Sequence, residues 1–285
     1  MSEEEKRKVA RPFLKMVGGK TTLLDELVKR VPKTFGNYHE PFVGGGALYF
    51  RLAESGRLDD KIARLTDTNV HLISTFQAIQ EDVSKVRQAL AGYEDSKEAF
   101  YEAREEDPVV LGKDDHLIAA WMIFMNKTCF NGLWRVNRNG RFNTPFAAKK
   151  ETRQARHLDQ EKNLERVAAV LNRVKTEIHP MDFEGILNYA KKGDFVYLDP
   201  PYVPLSKTSD FARYSVVGFY PADQERLRDV ALELKKRGVH VLLSNSSKAE
   251  DLYTDRRFKV DVVEAPRFIN SKGDRRGAVQ ELLVR

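Results

Sequence analysis

Cysteine is nearly missing from this 285-residue chain: Cys129 stands alone, so no internal disulfide can form and a reduced, cytoplasmic setting is expected. The six histidines are scattered without the spacing of a metal site, and no metal is expected. No apolar run approaches the ~20 residues needed to span a bilayer, and residues 1–11 are charged, so neither membrane insertion nor secretion is expected. Internal repeats and low-complexity segments are missing as well. The most telling shortage is local. Against 48 Lys+Arg the chain sets 42 Asp+Glu, a net charge of only +6, yet Asn126 to Lys150 contains no acidic residue. That stretch holds Lys127, Arg135, Arg138, Arg141, Lys149 and Lys150. A single-sign block of this kind points to a polyanionic partner.

The length accommodates one large domain with a sizeable insertion. Residues 37–43 read as a short strand running into Gly44-Gly45-Gly46 and then the helix-compatible Ala47 to Leu52. A second strand over Ile62 to Thr66 ends at Asp67, about twenty residues past the glycines, as in the opening βαβ unit of a nucleotide-binding sheet. The pattern then changes. Leu72, Phe76, Ile79, Val83, Val86 and Leu90 recur at three-and-four spacing, which predicts a long amphipathic helix, and Leu117 to Phe124 predicts a more buried one. Strand–helix alternation resumes at Glu177-Ile178-His179, continues through Asp194 to Leu198, a helix from about Asp223 to Arg237 closed by Gly238, and a strand at Val239 to Ser244. Ala278 to Val284 is expected as an edge strand or hairpin. The expected fold is α/β: a Rossmann-like catalytic domain of residues 1–70 and 174–285, interrupted by a mainly helical domain of residues 71–173 that carries a basic hairpin at 126–150.

Four motifs carry chemistry. Asp199-Pro200-Pro201-Tyr202 closes the apolar run Phe195 to Leu198, placing a carboxylate, two N–H-lacking prolines and an aromatic ring at a strand's carboxyl end, where open α/β sheets bind ligands. Taken alone it is equally well an acidic residue before a proline turn. Pro41-Phe42-Val43-Gly44-Gly45-Gly46 lets a ligand approach the backbone; with Asp67 downstream to accept from ribose hydroxyls, an adenosyl or nucleotide ligand is expected. Phe13 to Thr21 ends in Gly-Gly-Lys-Thr but is not a P-loop, since the glycine required five residues before Gly19 is Leu14. The segment can still hold an anion through Lys20. Finally, Asn126 to Phe146 interleaves Arg and Asn with aromatics and includes an Asn139-Gly140 turn. Arg matches guanine, Asn matches adenine and an exposed Phe can wedge into a base stack; a solvated basic hairpin accounts for the same residues when they are taken alone.

In this order, the four blocks resemble the Dam-like DNA adenine-N6 methyltransferases: Phe-Leu-Lys-x-x-Gly-Gly-Lys, Glu-Pro-Phe-x-Gly-Gly-Gly, Asn-Gly-Leu-x-Arg-x-Asn-x-x-Gly-x-Phe-Asn-x-Pro and Asp-Pro-Pro-Tyr. The tail Ser271 to Leu283 is also similar. The resemblance implies a sheet that binds S-adenosylmethionine, releases S-adenosylhomocysteine and carries an inserted target-recognition domain. It implies that Met16, Lys20, Glu40, Phe42, Gly44, Gly46, Asp67, Asp182, Phe183 and Asp199 hold the cofactor, with Asp182 accepting from its adenine amino group. Lys15 would read the outer guanine of a GATC site, Phe130 intercalate, and Asn131 contact a phosphate or the orphan base. Leu133, Arg135 and Pro145 would read the bases after the target adenine, with Asn137, Arg138 and Asn143 as further DNA contacts. Met16 departs from the family's usual Trp, a change that an adaptable thioether tolerates.

The chemistry this implies matches the residues. Adenine's N6 lone pair is delocalised into the ring, so Asp199 and the carbonyl of Pro200 would accept its amino hydrogens, and Asp199 would stabilise the positive charge growing on N6. Tyr202 would stack on a flipped base, because an adenine inside the duplex cannot reach the cofactor. The expected partners are double-stranded DNA and, functionally, a cognate restriction endonuclease, with the protein itself a monomer. Sequence leaves open a GATATC-like site, an RNA substrate and a non-catalytic cofactor-sensing DNA binder. An NAD enzyme is disfavoured by the basic hairpin.

Overall fold

Continuous apolar runs bounded by turn residues become the central strands of one sheet. The computed structural model describes residues 9–16, 18–137, 139–147, 162–202, 219–266 and 278–285. Among these, β1 (Tyr38–Glu40), β2 (Ile62–Asp67), β3 (Lys175–Pro180), β4 (Phe195–Leu198), β5 (His240–Ser246), β6 (Val260–Pro266) and β7 (Ala278–Val284) align in the order β3-β2-β1-β4-β5-β7-β6. The first five are parallel, and β7 runs antiparallel between β5 and β6. Every residue of β1 and β4 is buried, as expected of parallel strands covered on both faces. Between β1 and β4 the strand order reverses direction, and ligands of open α/β sheets enter at the carboxyl ends flanking such a point. The Rossmann-like fold is therefore as expected. Of the two forms expected for Ala278–Val284, the hairpin is the one observed: it pairs antiparallel with the preceding β6, which covers its outer side, so it is not an edge strand.

The helices are α1 (Leu24–Arg30), α2 (Ala47–Glu54), α3 (Val70–Leu90), α4 (Lys97–Glu105), α5 (Asp115–Thr128), α6 (Asn163–Arg173) and α7 (Pro221–Lys236). Asn69 and Ser96 cap α3 and α4 through their side chains. The long helix α3 is interrupted at Asp82 (φ −152°, ψ 88°), whose Oδ1 accepts from the N–H groups of Ser84 and Lys85 and so caps the second half. The apolar period runs through this break because both halves bury the same stripe. No helix among the described residues is long and apolar enough to cross a membrane.

Two apolar layers sandwich the sheet. One gathers Val196, Leu198, Leu243, Leu282 and Val284 against Leu227, Val230 and Leu234 of α7. The other gathers Tyr38, Leu65, Phe195 and Tyr197 against Phe50, Phe76 and Ile79, and continues without interruption through Trp121 and Phe124 of α5. Residues 71–173 thus enter between β2 and β3 in chain order, and they share the core of the sheet: α3 packs on β2 and β3, and α6 packs on β3.

Candidate active site

The turn after β1 and the turn after β4 meet at the point where strand order reverses. Gly44 (φ +48°) and Gly46 (φ +66°) adopt left-handed backbone to carry the chain from β1 into α2, a geometry that side-chain-bearing residues resist. Behind this turn Glu40 is fully enclosed; burial pushes its carboxyl up to about 8, and Asp199 adds to the rise. The Tyr38 hydroxyl donates to Glu40 Oε2 at 2.8 Å and works the other way. At the end of β2, burial raises Asp67 to about 6, against N–H groups of Asn69, Gly44 and Thr68 that hold it down. Asp67 is therefore bonded directly to the glycine turn. On either side of it, the buried hydroxyl of Thr66 and amide nitrogen of Asn69 have no partner among the described residues.

Lys20 closes the other side of the crevice. Gly18 (φ +79°) and Gly19 bend the chain so that this lysine, only 5% exposed, reaches Asp199 Oδ1 at 2.8 Å and donates to the Gly18 carbonyl at 2.7 Å. The same Nζ lies 4.5 Å from the centroid of the Tyr202 ring. Ser244 on β5 donates to Asp199 Oδ1 at 2.7 Å and is itself 3.2 Å from the Tyr197 hydroxyl. The Pro201 carbonyl accepts from Gln224 Nε2 (3.0 Å), Gln224 Oε1 from Asn245 Nδ2 (2.9 Å), and Asn245 also donates to the Tyr253 hydroxyl (3.1 Å). Tyr202 donates its hydroxyl hydrogen to Glu281.

The rings of Phe42 and Phe183 stack with centroids 5.3 Å apart at the crevice mouth. Asp182 caps the short 3₁₀ turn Phe183–Asn188, taking the Glu184 N–H on Oδ1, and pairs through Oδ2 with Arg226, whose guanidinium lies 4.4 Å from the Phe183 ring. Both members of that pair are well exposed, so a ligand can displace it at little cost. Met16 is half-buried, with its Cγ beside the position a Cβ on Gly45 would take. Contacts thus join Lys20 and Asp199, Glu40 and Asp199, Asp67 and the Gly44 turn, and Phe42 and Phe183, near the carboxyl ends of β1, β2 and β4. Their groups fit S-adenosylmethionine: an ammonium for its carboxylate, a carboxylate for its ribose hydroxyls, and aromatic and acidic groups for its adenine. No cluster of His, Cys, Asp or Glu among the described residues is arranged to hold a metal.

The basic stretch forms a hairpin-like loop, bridged antiparallel at Cys129–Phe146 and Val136–Phe142. Its underside is aromatic: Trp134, Phe142 and Phe146 are buried against Trp121, His71 and Phe100. Its outer side presents Phe130, which is 49% exposed, with exposed Asn131, Arg141 and Pro145 and half-buried Leu133 and Arg135. Asn131 (φ +57°) and Gly132 (φ +67°) lift Phe130 outward, and a Cβ on Gly132 would meet Lys15 Cβ at 2.5 Å. Asn126 binds the Lys15 backbone twice, accepting its N–H and donating to its carbonyl. Lys15 is thereby pinned to the hairpin, at the opposite end of the segment from Lys20. Asn143 Oδ1 accepts from Arg135 Nε, and Asn137 Oδ1 from the N–H groups of Asn139 and Arg141, so both asparagines shape the loop as well as facing outward. Arg138, residues 148–150 of the hairpin and most of the Ser271 to Leu283 tail lie outside the described residues.

Sequence reading missed Ser244, Gln224, Asn245, Arg226 and Glu281. Polar residues inside the apolar runs of β5 and β7 were the available signal, since a strand buried on both faces tolerates them only with partners.

Comparison with known proteins matches residues 17–269 to the model of the D12 class N6 adenine-specific DNA methyltransferase family. The chain is 37% identical over 282 residues to the type II methyltransferase M1.LlaDCHI of Lactococcus lactis subsp. cremoris, covering 96% of this chain and 94% of that protein. It is also 37% identical over 293 residues to the type II methyltransferase M.MjaIII of Methanocaldococcus jannaschii, covering 96% and 98%. To the DNA adenine methylase of Salmonella typhi it is 32% identical over 279 residues, covering 96% and 94%.

Proposed function

The chain belongs to the D12 class N6 adenine-specific DNA methyltransferases, and from that premise we propose that it methylates the adenine of GATC in double-stranded DNA through the crevice between β1 and β4. The observation that carries this reading is Asp199 at the carboxyl end of β4, held on one oxygen by Lys20 and Ser244. S-adenosylmethionine supplies an electrophilic methyl group. Asp199 and the Pro200 carbonyl accept the hydrogens of the flipped adenine's amino group, so the N6 lone pair is directed at that methyl. With that cofactor bound, the new N–C bond would form as its C–S bond breaks, leaving S-adenosylhomocysteine, and the N6 proton would pass to solvent. Positive charge grows on N6 during the transfer, and a carboxylate fixed in advance stabilises that charge without reorganising. Tyr202 stacks on the flipped ring. Lys20 binds the cofactor carboxylate, Asp67 the ribose, and Asp182 the adenine amino group, with Phe42 and Phe183 as apolar walls.

Residues 71–173 act as the target-recognition part. Lys15, Arg135, Leu133 and Pro145 read bases, Phe130 wedges into the stack vacated by the adenine, and Asn131, Asn137, Arg138 and Asn143 contact the backbone or the orphan base. The anchored underside and free outer side of the hairpin support this assignment. The type II names of two relatives support a protective role beside a restriction endonuclease in the cytoplasm, and a monomer suffices to methylate a palindrome one strand at a time.

The test is transfer from labelled S-adenosylmethionine to duplexes containing GATC, GATATC, GATC already N6-methylated, and a scrambled site. Transfer only to unmethylated GATC is expected. Transfer to another duplex reassigns the site, and failure on every duplex with cofactor bound overturns the reading.

A further inference from the structure

Each functional group of Asp199-Pro200-Pro201-Tyr202 that has a partner takes it from a distant element, Tyr202 among them. Its hydroxyl donates to Oε2 of Glu281, 79 residues away in the middle of β7. Glu281 is half-buried there, between exposed Gln280 and the buried end of the strand. β7 is hydrogen-bonded on both edges, Glu281 stands opposite Ser246 on β5 and Val263 on β6, and Leu282, Leu283 and Val284 beside it are completely buried. Strand alternation puts Glu281 on the same face as Leu283, which belongs to the apolar layer containing Tyr197 and Leu242. A carboxylate partly withdrawn from water recovers its hydration through specific bonds. What it gains here is the phenol of the residue that faces the substrate.

We propose that Glu281 is a positioning residue for methyl transfer, fixing the Tyr202 ring at the angle at which it stacks on the target adenine. The inference rests on the assignment of Tyr202 as the adenine-stacking residue. A stacked ring aligns N6 with the methyl only if the ring itself cannot swing, and small losses of alignment lower the rate far more than they weaken binding. The hydrogen bond supplies that constraint from the rigid centre of the sheet. On the opposite side, Lys20 lies over the ring while holding Asp199, so ring and carboxylate are fixed relative to each other. The phenol remains a donor throughout the working pH range, because burial, reinforced by Asp199 and Glu281, pushes its ionisation well above the usual tyrosine range.

The experiment compares steady-state transfer to an unmethylated GATC duplex by wild type, Glu281→Gln, Glu281→Leu, Tyr202→Phe and the double variant Glu281→Leu/Tyr202→Phe. Loss of one hydrogen bond to a charged acceptor predicts a fall in kcat of about tenfold for Glu281→Leu and for Tyr202→Phe, with KM for DNA and for cofactor within about twofold. Glu281→Gln, whose amide oxygen still accepts, retains most of kcat. The double variant is no slower than either single one. If Glu281→Leu slows the Tyr202→Phe enzyme by as much as it slows wild type, Glu281 acts elsewhere and the proposal falls. Wild-type kcat in Tyr202→Phe overturns it independently, even if Glu281→Leu does not fold. A wild-type enzyme inactive on every adenine duplex would instead refute the underlying function.

Discussion

The crevice and the hairpin handle polar groups in opposite ways. In the crevice, Asp199 is bonded by Lys20 and Ser244, Glu40 by Tyr38, and Tyr202 by Glu281, all within a buried setting. In the hairpin, buried atoms are mostly aromatic carbon, while Phe130, Asn131, Arg141 and Pro145 stand in solvent. Chemistry needs charges fixed before the substrate arrives, because reorganising them during the reaction would raise the barrier. Reading a base sequence needs donors and acceptors still free when DNA docks, since a contact already satisfied internally discriminates nothing. The contrast has an exception inside the hairpin, where Arg135 Nε donates to Asn143 Oδ1 and Asn137 Oδ1 accepts two loop N–H groups, so these bonds must be exchanged if the same atoms are to meet DNA.

If that division is correct, substitutions in the two regions fail differently. The largest effect belongs to Asp199→Ala: methyl transfer should fall by about 10³-fold, the scale of removing one preorganised electrostatic partner. Duplex affinity, measured by fluorescence anisotropy, should stay within a few-fold. An equal loss of binding would erase the distinction. Next, Arg135→Ala should retain turnover on the preferred site and lose ~1–3 kcal/mol of discrimination at one base pair, read from competition among duplexes with single substitutions. An unchanged preference would remove Arg135 from the reading surface.

The remaining two effects depend on pH. Burial raises Asp67 to about 6, and ribose hydroxyls donate best to its charged form. Cofactor affinity should therefore weaken as pH falls through about 6, by up to about tenfold per unit below it. Calorimetric titration checks this, and the inflection should be missing in Asp67→Asn. In the hairpin region the sign reverses. Lys127 is lowered to about 8, first by burial and then by Lys15 and Arg11. A polyanion favours the protonated amine, so DNA affinity should decline a few-fold as pH rises through about 8. Lys127→Arg, which cannot lose its proton in that range, should flatten the profile.

How much of this was legible in the sequence depended on how local each feature is. The glycine turn, Asp67 and Asp199 to Tyr202 announce themselves because each motif sits at the end of one short strand. Ser244, Gln224, Asn245 and Glu281 could not be assigned that way. Apart from the Asn245–Tyr253 bond, they lie 21 or more residues from their partners, and the fold brings them together. The placement of β7 between β5 and β6 was hidden for the same reason: nothing in Ala278 to Val284 says which side of it is covered. The interruption of α3 at Asp82 escaped an apolar period that both halves share. The boundary at residue 71 reflects chain order, whereas burial is continuous across it, through Phe76, Trp121 and Phe124.

The close passage of Lys15 over Gly132 has a consequence for anyone wishing to retarget the enzyme. No side chain fits at position 132 while Lys15 occupies its present place, and Asn126 stitches that same backbone from the end of α5. The loop is therefore not a cassette. A transplanted hairpin would have to bring the segment around Lys15 and its own counterpart of Asn126 with it, because the three are packed as one unit.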